Sequence, residues 1–166
     1  MSATPTEITS ESLIAAATGV RQHVIAVREA VFAKADELVA YEDDLTVHRI
    51  ALQILAARPE ATALTLVSDD EHNSVVRVAE IAGLDEDEDR LYQELVDIAD
   101  EDLFIHASLV HRAARTESGT LTGHGYTVTW DTDEQALTGT VDLAAAAHAP
   151  KPPALLTSAA LVDFLV

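Results

Sequence analysis

Between Gly19 and Arg58 the apolar residues recur at gaps that mostly alternate between four and three. Val20, Val24, Val27, Val31, Leu38, Tyr41, Leu45, Leu52 and Leu55 form one stripe, interrupted by Lys34 and His48. That period is the one an amphipathic helix requires. The intervening residues, among them Ala26, Glu29, Ala30, Ala33, Ala35 and Glu37, are good helix formers. A second apolar row, Ile25, Phe32 and Val39, widens the face. Such width suits a helix packed in a globular body better than a narrow two-stranded seam.

The run Tyr41-Glu42-Asp43-Asp44 interrupts this pattern. Asp43 or Asp44 can cap a new helix by accepting hydrogen bonds from free backbone N–H groups. Pro59 ends the second segment, and Arg58 suits a C-terminal dipole. Two helices are therefore expected, Ser10 to Tyr41 and Asp44 to Ala57, within a helical region spanning 10–58. One continuous helix is the alternative, and it would be long enough to build an oligomer interface.

The chain of 166 residues is long enough for one domain with a substantial core, and 48% hydrophobic content fits a folded protein. It has no cysteine, which excludes disulfides, thiolate chemistry and Cys-based zinc sites. The first residues, Met-Ser-Ala-Thr-Pro-Thr-Glu, lack the basic and apolar parts of a signal peptide. No apolar run reaches membrane-spanning length. A cytoplasmic protein, or a particle assembled in the cytoplasm, is expected. The formal net charge is −19, which disfavours direct contact with a nucleic-acid backbone. Lys34 and Lys151 are the only lysines. An acid-rich, lysine-poor, Ala/Val/Thr-rich composition suits a high-GC genome or adaptation to high salt, where screening relieves self-repulsion.

Alternation marks the strands. Thr62 to Ser68 reads as one, Asp69 to Asn73 as a turn, and Ser74 to Ile81 as the return, ended by Gly83. Arg90 to Ala99 reads as a helix burying Leu91, Leu95 and Ile98, with Tyr92 and Val96 beside them. Leu103 to Arg115 reads as a further helix capped by Asp102, with a strand from Leu103 to Val110 as the alternative. Glu117 to Thr120 is expected as loop. Gly125 to Trp130 and Gln135 to Leu143 form a second hairpin around Asp131 to Glu134. The fold class expected is α+β: N-terminal helices on an antiparallel sheet of two hairpins, with intervening and C-terminal helices. Residues 1–149 make one domain in this reading. Residues 150–166 make a Pro-rich connector and an apolar arm.

That arm, Ala154 to Val166, carries a single charge, Asp163. An apolar chain end is expected to be buried, either on its own core or on a neighbouring subunit. Leu155, Leu161, Phe164 and Leu165 are the candidate partner-binding residues. No catalytic constellation stands out. His106 and His111 are five apart and fall on different helix faces, while Asp44 and His48 share a face without a nearby third ligand. The acids Asp97, Asp100, Glu101 and Asp102 lack the spacing of an EF-hand loop. No cofactor and no metal site are expected.

The function expected is a non-catalytic structural or assembly subunit of a multi-chain complex, of which a virus particle is one kind. Its partners would be copies of itself or other subunits. The alternative is an acidic inhibitor that mimics a DNA phosphate track and binds a basic protein. Its surface would comprise Asp85, Glu86, Asp87, Glu88, Asp89, Asp97, Asp100, Glu101 and Asp102. A small enzyme using His106, His111 or His124 is a third class, which a co-purifying divalent metal would support.

Overall fold

The computed structural model describes residues 10–68, 76–87, 89–104 and 108–157. The fold is α+β. Its elements are α1 (Ser10–Ala57), β1 (Ala63–Ser68), β2 (Val76–Ala82), α2 (Tyr92–Phe104), α3 (Ser108–Ala114), β3 (Thr120–Gly123), β4 (Tyr126–Asp131), β5 (Ala136–Asp142), α4 (Leu143–Ala146) and α5 (Ala154–Thr157). The chain divides between Glu37 and Leu38 into two units. In the first unit the described residues, from Ser10 to Glu37, are helical throughout.

The second unit is built on a five-stranded antiparallel sheet of order β2-β1-β5-β4-β3. The two expected hairpins, β1–β2 and β4–β5, join edge to edge through β1 and β5. The residues expected as the first hairpin's turn, 69–73, lie outside the described ones. Leu64, Leu66, Val78, Ile81, Val128, Leu137 and Val141 are buried on one face of the sheet. Between β1 and β2, Thr65 pairs with Glu80 and Leu66 with Val78, so Ala79 is an inserted bulge residue. The bulge resets the alternation and keeps both Val78 and Ile81 facing inward.

Helical residues complete this core: Val47, Ile50, Ala51 and Ile54 of α1, Tyr92, Leu95, Val96, Ala99 and Leu103 of α2, and Leu109, Val110 and Ala113 of α3. Each large apolar side chain among them, fully buried, contributes about 1.5–3 kcal/mol. The hairpin β3–β4 turns through His124 and Gly125, and Gly125 has φ +77. A Cβ there would lie 2.5 Å from the Ala146 backbone nitrogen, so the turn rests on α4 only because the residue is glycine.

The structure corrects four expectations. α1 is one continuous helix, not two. The acids expected to break it have tertiary partners: Asp43 pairs with Arg112 of α3, and Asp44 accepts the His124 N–H at 3.0 Å. With those acceptors occupied, no cap forms and the helix runs on. Asp102 is not an N-cap, because residue 102 lies within α2. Leu103 continues the buried row of Leu95 and Ala99 at helical spacing, which carries α2 to Phe104. Ile98, expected inside, is exposed, since Tyr92, Val96 and Ala99 set the buried face one position away. Finally, Thr120, expected as the end of a loop, opens the strand β3 and pairs with Thr129, while Leu121 pairs with Val128.

Candidate assembly interface

The stripe from Val20 to Val31, expected as a buried face, is open. Val20, Val24, Val27 and Val31 are 50% to 65% exposed, and Phe32 is 59% exposed. In the second unit the same helix buries a different row. Asp43, Thr46, Val47, Ile50, Ala51 and Ile54 face the core. At about 100° per residue, Leu45 and Leu52 point from the opposite side of the helix. They are 41% and 47% exposed. Each unit, taken by itself, therefore presents apolar stripe residues to solvent. The stripe is legible in the sequence, but its exposure is not. A 3.6-residue period says that a helix has an apolar face and does not say what covers it.

The charge near the first stripe differs from that of the chain as a whole. Residues 10–37 hold three of the ten Lys and Arg and four of the 29 Asp and Glu. Lys34 Nζ pairs with Glu37 at 2.7 Å along the helix surface. Self-repulsion is therefore concentrated elsewhere, and the open stripe lies in a nearly neutral part of the chain.

The C-terminal candidates are only partly described. Leu155 lies within α5, next to the exposed Leu156. Leu161, Phe164 and Leu165 lie outside the described residues.

The acidic candidates fall into two groups. Asp85, Glu86 and Asp87 are exposed in the turn before α2, and Asp85 accepts the Asp87 N–H at 3.0 Å. Asp97 and Glu101 are exposed four residues apart on α2, with Asp97 accepting from Gln93 Nε2 at 2.8 Å. The others are engaged in the fold. Asp100 accepts the Val78 N–H at 2.6 Å, which ties α2 to β2. Asp89 receives Arg58 Nε at 2.5 Å and Nη2 at 2.9 Å, and also the Leu91 N–H at 2.8 Å. The Arg58 hydrogen bonds and then the Leu91 N–H hold the Asp89 carboxyl below the usual carboxylate range. Glu88 lies outside the described residues, and residue 102 is placed only within α2. Arg58 and Asp89 also line a shallow hollow of about 500 Å³ with Glu60, Leu84 and Asp85. In it, the Arg58 charge is already matched by Asp89.

His111 is exposed on α3, His124 sits in the β3–β4 turn with Nε2 at 2.7 Å from the His148 carbonyl oxygen, and His106 lies outside the described residues. His48 Nδ1 lies 2.8 Å from the Ala146 carbonyl oxygen, and Asp44, four residues before it, accepts from the His124 backbone. Among the described residues no group of three or more His, Asp or Glu side chains could hold a metal ion. Among them, too, no helix is long and apolar enough to cross a membrane.

One surface does not show in the sequence. The sheet face away from the core is lined with threonine: the register sets Thr122, Thr127, Thr140 and Thr65 in one row and Thr120, Thr129 and Thr138 in the next. β-branched residues with a hydroxyl suit a solvated strand face, and this array follows from strand propensity. Comparison with known proteins finds no family model, no curated protein and no solved structure that matches this chain.

Proposed function

We propose that the protein is a non-catalytic assembly subunit of a multi-chain complex and that α1 is its docking element. One observation carries this reading: the exposed stripe of Val20, Val24, Val27 and Val31. A helix in a protein owes most of its stability in water to packing of its apolar face. A 48-residue helix with such a face open is therefore incomplete without a partner. Covering a half-exposed valine contributes about 1 kcal/mol, so four of them form a useful core for an interface. The C-terminal stretch 154–166 is the second docking element in this reading.

The test compares the parent chain with a Val24→Asp, Val31→Asp double variant on a sizing column with light scattering. A defined oligomer is expected for the parent. The variant is expected to run as a monomer with an unchanged β signal in far-UV circular dichroism. A monomeric parent overturns the reading.

A further inference from the structure

The sheet has two edges, β2 and β3. An edge strand presents unpaired N–H and C=O groups, and proteins guard it with charge, proline, bulges or a covering element. The β2 edge is guarded. Its Val78 N–H donates to Asp100 of α2 at 2.6 Å, and its Ile81 N–H to the Tyr92 hydroxyl at 3.1 Å. Arg77 and Glu80 bring charge to it, and Ala79 is its bulge. The other edge, Thr120-Leu-Thr-Gly123, holds no charge, no proline and no bulge. The Trp130 N–H donates to the Gly119 carbonyl at 2.8 Å, which sets the phase of the β3–β4 ladder. Leu121 and Gly123 therefore turn their backbone groups toward β4, and Thr120 and Thr122 turn theirs outward. Ser118 Oγ accepts the Thr120 N–H at 3.2 Å, while the Thr122 N–H and carbonyl have no partner among the described residues. We infer that β3 pairs with the β3 of a second copy of this chain, antiparallel, with Leu121 opposite the partner's Leu121. This rests on the assembly role proposed for the protein, because so short a strand joins only copies already held together, and it adds a second contact that lies wholly within the sheet unit.

Self-complementarity selects both the partner and the register. With a two-fold axis at Leu121, Thr122 of each copy stands opposite the partner's Thr120. The Thr122 N–H then reaches the partner's Thr120 carbonyl, and the Thr120 N–H leaves Ser118 for the partner's Thr122 carbonyl. Leu121, half-buried at the margin of the core and paired with Val128 in its own chain, meets the partner's Leu121. That pair is of the non-hydrogen-bonded kind, in which side chains lie closest. On the opposite face the threonine rows continue across the seam. Thr120 meets the partner's Thr122 there, much as Thr120 and Thr129 meet within the chain with their hydroxyls 3.3 Å apart. Moving the register by two residues in either direction sets Leu121 against the partner's Gly119 or the partner's Gly123, and its side chain loses its cover. In a chain of net charge −19 this seam sets no acidic residue against another: Gly119 meets the partner's Gly123, and Ser118 meets the partner's His124.

The absence of cysteine makes a direct test possible. Two single variants of the full chain, Thr120→Cys and Thr122→Cys, are oxidised separately and as an equimolar mixture. Both positions lie on the sheet face away from the core, so neither change disturbs packing. Opposed residues of this kind have Cα atoms about 5.5 Å apart, within the span of a disulfide. The expected result is a covalent dimer containing one chain of each variant in the mixture and none from either variant alone. Like positions stand two residues apart along the seam, about 8 Å between Cα atoms, which a disulfide does not bridge. Self-cross-linking of Thr122→Cys or of Thr120→Cys overturns the register. An oligomer by light scattering with no cross-link in any sample overturns β3 pairing and leaves assembly intact, whereas a monomer with no cross-link overturns both. A second variant, Thr122→Pro, removes an N–H that the chain's own sheet does not use, and proline is tolerated on such an edge. It is expected to leave the β signal in far-UV circular dichroism unchanged and to weaken assembly several-fold. Assembly of parental strength in a folded Thr122→Pro chain overturns the pairing.

Discussion

Asp43, Asp44 and Asp89 show how single carboxylates decide this fold. The Asp43 side chain is fully buried and is held by Arg112, whose own side chain keeps 22% exposure. Replacing Asp43 by alanine leaves Arg112 partly buried without that partner. The expected loss is about 2–3 kcal/mol, less than the ~3–5 kcal/mol of a fully buried pair because solvent still reaches the arginine. The midpoint of urea unfolding checks this. Asp89 gives a pH prediction whose sign is fixed. Its folded pKa is depressed below its unfolded value by Arg58 and the Leu91 N–H. Its stabilisation is therefore complete above about pH 4 and is lost as the pH falls through the lower folded value. Unfolding midpoints of the parent and Asp89→Asn are expected to differ at pH 7 and to converge in acid.

At the scale of elements, the C-terminal stretch offers a separate test. Among the described residues, the hydrophobic core has no member beyond Ala147. On the docking reading, deleting Ala154 to Val166 is expected to leave the sheet folded, with an unchanged thermal midpoint, and to reduce the size of the assembly. Loss of folding would count against a docking role. The hairpins were legible because alternation reports a half-buried sheet directly, as in Tyr126-Thr-Val-Thr-Trp130. β3 was not legible, because four residues ending in Gly123 are too short to show a period and glycine signals a loop. The helix through Glu42, Asp43 and Asp44 was misread for a different reason. Local capping propensity does not include Arg112 and the His124 N–H, which lie 69 and 80 residues away in sequence. The candidate interface was half visible: its residues could be named, but a 3.6-residue period does not say whether a helix face is covered.

For the whole molecule, two opposing terms govern association. A net charge of −19 makes copies repel, while the apolar stripe of α1 attracts. The repulsion is long-range and is screened over about 8 Å at physiological salt, but apolar contact is not weakened by screening. Assembly through α1 should therefore strengthen as salt is added, the reverse of what an acidic surface clasping a basic partner would show. The most direct measurement is the solution mass of the full chain by light scattering from low to high salt. Assembly through α1 predicts a defined oligomer whose dissociation constant falls as salt rises and which the Val24→Asp, Val31→Asp variant does not form. A chain that stays monomeric at every salt concentration, or an oligomer unaffected by the double substitution, would contradict it.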